Sequence, residues 1–138
     1  MAVENPIMLR DSRDVVSVVQ AGESCNVVAT FQDLTGTTIA KAALLSLTVT
    51  QFEEVTKSII NSRNAQSCLD ANGGLVASDG TLTLRLQPAD NIITNSDTAV
   101  EGVEVHVLRF DFTWNDGVIV RTGRENRGLF VERQGSPA

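Results

Sequence analysis

Apolar and polar residues alternate with a period of two along most of the chain, the pattern of half-buried β-strands. Val15-Val16-Ser17-Val18-Val19 predicts a short β-branched strand, closed by Gln20-Ala21-Gly22-Glu23. In the next strand Cys25, Val27, Ala29 and Phe31 share one face. Ser24, Asn26, Thr30 and Gln32 share the other, and Val28 is an exposed apolar exception. Asp33-Leu34-Thr35-Gly36 supplies turn chemistry, because Asp bonds its own backbone two residues on and Gly tolerates positive φ. Lys41-Ala42-Ala43-Leu44-Leu45 has helix propensity. It runs directly into Leu45, Leu47, Val49 and Gln51 alternating with Ser46, Thr48, Thr50 and Phe52, where β-branched content favours a strand. Residues 55–60 read as a further short strand. Residues 62–78, with Asn72-Gly73-Gly74, read as the longest irregular connection, with room for one helical turn.

The second half repeats the alternation more cleanly. Leu82, Leu84 and Leu86 oppose Thr81, Thr83, Arg85 and Gln87, and Pro88 ends that strand because it cannot donate to a ladder. A polar, turn-rich stretch over residues 89–102 follows. His106, Leu108, Phe110, Phe112 and Trp114 then share one face, opposed by Val105, Val107, Arg109, Asp111 and Thr113. Asn115-Asp116-Gly117 supplies a tight reversal, and Val118, Ile119 and Val120 begin the return. Leu129, Phe130 and Val131 form a final strand, or the end of the same one after a bulge near Thr122-Gly123. Seven to eight strands with frequent turns and no long helix predict an all-β fold, a two-sheet antiparallel β-sandwich.

The two ends break the pattern. Residues 1–13 hold Pro6 and the apolar triplet Ile7, Met8 and Leu9 without a periodic partner. They read either as a frayed end or as an N-terminal arm that orders on a neighbouring subunit. Residues 14–133 form the sandwich domain, and residues 134–138 are a flexible tail by composition.

Composition narrows the classes. The 138 residues suit one domain able to bury a core without a staple. A net charge of −6 argues against a nucleic-acid binder and against a polybasic membrane-surface protein. No apolar run reaches the roughly 20 residues a membrane helix needs, and no secretory signal peptide is visible at the start. Cys25 and Cys68 are too few for a disulfide scaffold or a cysteine zinc site. Cys25 reads as a small core hydrophobe and Cys68 as a loop residue, and a bridge between them stays open with no oxidising compartment indicated. With five Phe, one Trp and no Tyr, the core is built mainly of Val, Leu and Ile, and only Phe52 and Phe130 could furnish an exposed aromatic platform.

Candidate chemistry is thin. His106 is the lone histidine, so a histidine triad or two-histidine metal site must use it or fail. On an aromatic strand face it reads as a packed imidazole with one nitrogen hydrogen-bonded; a small hydrolase is the competing reading. No Gly-x-Ser-x-Gly elbow or phosphate loop occurs. The acid pairs Glu53-Glu54 and Glu101/Glu104 read as solvated charge. The oxygen-rich stretch from Asp90-Asn91 to Asn95 and Asp97 lacks EF-hand spacing. No catalytic residue, metal ligand or cofactor is expected. Arg121, Arg124, Arg127 and Arg133 place 4 of the 11 basic residues near the C-terminus. They read as a solvated sheet face, or as a basic edge meeting an acidic patch on another copy, a contact able to close into rings.

Three stretches carry a family likeness: Ile60-Asn61-Ser62-Arg63-Asn64-Ala65-Gln66-Ser67-Cys68-Leu69-Asp70-Ala71-Asn72-Gly73-Gly74, Asp79-Gly80-Thr81-Leu82-Thr83-Leu84-Arg85-Leu86-Gln87-Pro88-Ala89-Asp90-Asn91 and His106-Val107-Leu108-Arg109-Phe110-Asp111-Phe112-Thr113-Trp114. With them, the chain from about residue 11 to 132 resembles small virion structural proteins of tailed bacteriophages, from the head and neck region. The resemblance implies an immunoglobulin-like sandwich, many identical copies on a capsid or around a neck, and no catalysis. The antibody-type pattern is incomplete: there is no tyrosine for a tyrosine corner, Trp114 falls late, and Cys68 precedes the strand that should carry a core cysteine. Only the architecture carries over, without the inter-sheet disulfide.

The function expected is therefore a non-enzymatic virion subunit, either a capsid decoration (cement) protein or a head–tail connector. Its partners are capsid, portal or neck proteins and copies of itself, with no nucleic acid and no membrane. The residues expected at its interfaces are Ile7, Met8, Leu9, Arg10, Arg121, Arg124 and Arg127. The alternative is a receptor- or carbohydrate-binding fibre or adhesin domain.

Overall fold

Leu82, Leu84 and Leu86, read as the inward face of the cleanest strand, are each fully buried in the computed structural model, which describes residues 15–94 and 102–132. Burying a leucine in this way stabilises the fold by about 1.5–3 kcal/mol per side chain. Among the described residues the alternating segments become eight strands: β1 (Val15–Gln20), β2 (Cys25–Ala29), β3 (Leu44–Glu53), β4 (Gln66–Ser67), β5 (Gly74–Val76), β6 (Leu82–Leu86), β7 (Val103–Asn115) and β8 (Val120–Glu132). They form a five-stranded sheet in the order β1-β8-β7-β3-β4 and a three-stranded sheet in the order β2-β6-β5. Every neighbouring pair is antiparallel except β1 with β8, which run parallel.

The two inner faces meet in one core, so the chain is an all-β sandwich. Val27, Ala29, Phe31 and the β6 leucines face Leu47, Val49, Leu108, Phe110, Phe112, Trp114 and Leu129. Phe31, just beyond β2, sits with its ring centroid 5.4 Å from Phe110 and 5.0 Å from Phe112, in the tilted geometry that aromatic quadrupoles favour. The proposed domain limits at residues 14 and 133, the N-terminal arm and the tail lie outside the described residues.

Several local expectations are corrected. Residues 41–45 make no α-helix, only the 3-10 turn Lys41–Ala43, because the strand that follows claims the next backbone groups. A register shift between Leu44 and Ser46 then turns Leu44 inward and leaves Leu45 half exposed, reversing the expected side for Leu45. Residues 55–60 are not a strand. Glu53 folds the chain back by accepting the Lys57 N–H on its carbonyl and the Thr56 N–H on Oε1, leaving a single bridge between Phe52 and Ile59. The connection over 62–78 has no helical turn and holds β4 and β5 instead. Cys68 lies in the connection after β4, as expected, but is fully buried in the core; Cys25, on β2, packs against that core while staying partly exposed, and both are free. Burial pushes the Cys68 thiol up to about 12, so it stays protonated and inert. Finally, β7 and β8 stay in unbroken register from Val103/Glu132 to Asn115/Val120, so the return is one strand with no bulge at Thr122-Gly123. Val118 and Ile119 belong to the exposed tip of that hairpin rather than to the strand.

Candidate functional site

Two places in this scaffold hold chemistry worth weighing: a cluster of ionisable and amide side chains inside one end of the sandwich, and the outer edge of β8. The cluster begins on β7, where Glu104 and His106 lie two residues apart and therefore point to the same face. Both are buried, as are Gln51 and Glu53 on the neighbouring β3. The expectation that Glu53 and Glu104 are solvated is thus overturned. Glu53 is held by the Thr56 N–H at 2.6 Å, and Glu104 accepts from the Thr94 N–H at 3.0 Å, the Thr94 hydroxyl at 3.1 Å and the imidazole. Hydrogen bonds of this kind remove the usual penalty of a buried carboxylate. Glu54 sits beside them, partly buried, and desolvation raises its carboxyl above the ordinary range. Glu101 lies outside the described residues.

His106 has both nitrogens engaged. Gln51 Nε2 donates to the Asp90 carbonyl at 2.9 Å and to His106 Nδ1 at 3.2 Å, which makes Nδ1 an acceptor. The hydrogen-bond network therefore assigns the ring proton to Nε2, which donates to Glu104 Oε2 at 2.6 Å. The packed imidazole has more than the one partner expected of it.

Asp90 extends the cluster to the loops. It ends the 3-10 turn Pro88–Asp90 that Pro88 starts after β6, and its Oδ2 accepts the Gln87 N–H at 2.7 Å. Arg63 grips the same carboxylate in a fork, Nε to Oδ1 at 2.8 Å and Nη2 to Oδ2 at 3.0 Å, while Asn61 donates to Oδ1 at 2.9 Å. Burial pushes the Asp90 carboxyl up, but the bonds from Arg63, Asn61 and Gln87 outweigh it and hold it below the usual carboxylate value. Arg63 also reaches Gln66 Oε1 and the Asn72 carbonyl. It thereby pins a loop in which Asn61, Ser62, Ala65, Asp70 and Asn72 all take positive φ, a conformation that persists only where the surroundings fix it. Next to it, Asn91 donates to the Glu23 carbonyl at 2.7 Å and ties the β1–β2 turn to the same end.

These bonds bear on the oxygen-rich stretch weighed for an ion. Both Asp90 oxygens face a guanidinium and neutral donors, leaving no room for a cation there, and 95–97 lie outside the described residues. Among the described residues no group of three or more His, Cys, Asp and Glu side chains is arranged to hold a metal. Arg63 escaped the sequence reading, because a lone arginine in an Asn- and Ser-rich run carries no signal for a partner 27 residues away.

The β8 edge has a different character. β1 pairs with β8 only from Gly128 to Glu132, so among the described residues the outer edge over 120–127 has no β neighbour. The hairpin tip beside it exposes Val118, Ile119 and Val120. Three arginines expected at interfaces lie along this stretch, each paired within the chain: Arg121 with Asp116 at 2.6 Å, Arg124 with Asp111 at 2.6 Å and Arg127 with Glu125 at 3.0 Å. The Ile119 and Val118 N–H groups and Arg121 hold the Asp116 carboxyl down to about 2. Ile7, Met8, Leu9, Arg10 and Arg133 lie outside the described residues. Across the outer face of β3, β7 and β8, Ser46, Thr48, Thr113, Thr122, Asp111 and Arg124 line a shallow hollow of about 550 Å³. Phe52, one of two rings weighed as a sugar platform, is half-buried with Lys57 and Arg109 at 5.7 and 6.0 Å from its centroid. No family model matches the chain, and no curated protein matches it either.

Proposed function

We propose that the protein is a non-enzymatic structural subunit of a tailed-bacteriophage particle, a capsid decoration (cement) protein or a head–tail connector subunit that binds other virion proteins. The observation that carries this reading is the apolar tip of the β7–β8 hairpin, where Val118, Ile119 and Val120 are 86%, 51% and 57% exposed. A cluster of exposed apolar side chains at the end of a hairpin is a feature that recruits another chain. The sequence resemblance to small virion proteins supplies the kind of particle. The lone imidazole and its acids support the same side of the choice, since each is buried and spent on the fold.

In this reading Arg121, Arg124 and Arg127 act as paired, geometrically fixed rim charges. They contribute register and partner choice more than raw affinity. The test is a copy number, from gel densitometry of purified virions against the major capsid protein. Hundreds of copies assign decoration, and about six or twelve assign the neck, following the symmetry of each location. A particle lacking the chain overturns the reading.

A further inference from the structure

We propose that the apolar half of the outer face of the five-stranded sheet is a self-association surface, covered by a second copy of this chain through a twofold rotation. The solvent side of an antiparallel sheet ordinarily carries polar side chains. Here that holds toward the hairpin tip, where Ser46, Thr48, Asp111, Thr113, Thr122 and Arg124 line the shallow hollow. Toward the other end the same face turns apolar. Val18 on β1 pairs with Phe130 on β8, Phe130 pairs with Val105 on β7, and the Glu54 N–H, just past β3, bonds the Val105 carbonyl. One row across the sheet is therefore Glu54, Val105, Phe130 and Val18. The next row sets Phe52 beside Val107, and Val103 flanks the first row on its other side. Val18 and Val103 are 53% and 43% exposed, and Val105, Phe130 and Phe52 are half-buried. An apolar patch with a charged border marks a contact site. A sugar fits it poorly, because the Phe52 ring already carries Lys57 and Arg109 and stands two strands away from Phe130.

The charges on this face select a second copy as the occupant. Glu54 and Glu132 lie at the Val103–Val105 end of the patch, and Lys57 and Arg109 lie at the Val107 end, beside Phe52. Turning a copy by 180° about an axis that crosses the strands between Val105 and Val107 lays β7 over β7 in the opposite direction, an isologous contact. Val105 then meets Val107 of the second copy. Glu54 comes over the Phe52 ring that carries Lys57 and Arg109, and Glu132 comes over Asn126, the cross-strand neighbour of Arg109. Each acid thus faces a base, and the rotation makes every such contact twice. Inside the subunit these charges are incompletely matched. Among the described residues Glu54 Oε2 and Arg109 Nε are buried without a hydrogen-bond partner, and Asp111, 3.6 Å from Arg109, is already held by Arg124 at 2.6 Å.

The isolated full-length chain tests this apart from any particle role. Sedimentation velocity should show a reversible monomer–dimer equilibrium in the micromolar range, as suits a contact confined to part of one sheet face. Val18→Glu/Val103→Glu, at exposed positions, should weaken the dimer about tenfold or more, whereas Val118→Glu on the hairpin tip should leave it unchanged. Glu54→Lys and Lys57→Glu should each weaken it by about tenfold as well, since each sets like charges across the axis. Mixing those two variants should restore a dimer holding one of each, because each presents the charge the other faces; that restoration separates a lost contact from a misfolded chain. A chain that stays monomeric at every concentration overturns the proposal, whether this face is bare or covered by residues 1–14. So does a dimer that survives the face variants or is lost with Val118→Glu, and so does a mixture of the two charge variants that stays monomeric.

Discussion

Arg63–Asp90 and Arg124–Asp111 are both arginine–aspartate pairs with a shortest contact under 3 Å, 2.8 Å in one and 2.6 Å in the other. Distance does not separate them; surroundings do. The first lies inside the end of the sandwich, with side chains 7% and 0% exposed, forked, and with Asp90 also held by Asn61 and by the Gln87 N–H. The second lies on the open hairpin, where Arg124 is 60% exposed and Asp111 33%. A desolvated carboxylate has no water to fall back on, so removing its partner strands a charge. A solvated pair exchanges one good environment for another. Ion pairs therefore hold one end of this molecule together and merely decorate the other.

The largest effect should come from Asp90→Ala, which leaves the Arg63 guanidinium buried and unpaired. Urea denaturation should show a loss of about 3–5 kcal/mol. A loss no greater than that of a surface variant would erase the distinction between the two ends. Next comes acid. Because the native Asp90 carboxyl is held below its unfolded value, its contribution is complete above that unfolded value, near 3.8, and fades as pH falls through the lower native one. The urea midpoint of the natural chain should drop below about pH 4, and Asp90→Asn should flatten that drop. Asp116 is also held low, yet it is exposed, so Asp116→Asn should leave the acid limb nearly unchanged. The smallest effect is expected from Arg124→Ala, at most about 1 kcal/mol and shrinking with added salt in a thermal melt. A salt-independent loss of several kcal/mol would mean that the hairpin charges are structural after all.

The strands were legible because each buries one face. Period-two alternation is a direct imprint of that burial, as Leu82, Leu84, Leu86 and the series from His106 to Trp114 illustrate. Local turn chemistry was legible as well: Asp33 accepts the Thr35 and Thr37 N–H groups, and Gly117 takes the positive φ its reversal requires. The polar cluster was not. Glu53 and Glu104 read as solvated because hydrophobic periodicity does not say which donors turn onto a carboxylate, here Thr56, Thr94 and the imidazole, two to ten residues away. Residues 55–60 misled for a related reason: their β-branched content fits a strand, but the backbone bonds back to Glu53 close a turn first.

By itself the order of residues determined that this protein is an all-β sandwich, which face of strands such as β6 and β7 turns to the core, and where the long hairpin turns. Those features rest on a pattern that any half-buried strand must show and on turn chemistry local to the chain. Only the tertiary structure decided that Arg63 meets Asp90, that Glu104 is sealed beside His106, and that β1 runs parallel to β8 while every other neighbouring pair among the described strands is antiparallel. Each of those depends on which segments the fold brings together, and the free energy of a buried charge is set by those neighbours rather than by the residue that carries it.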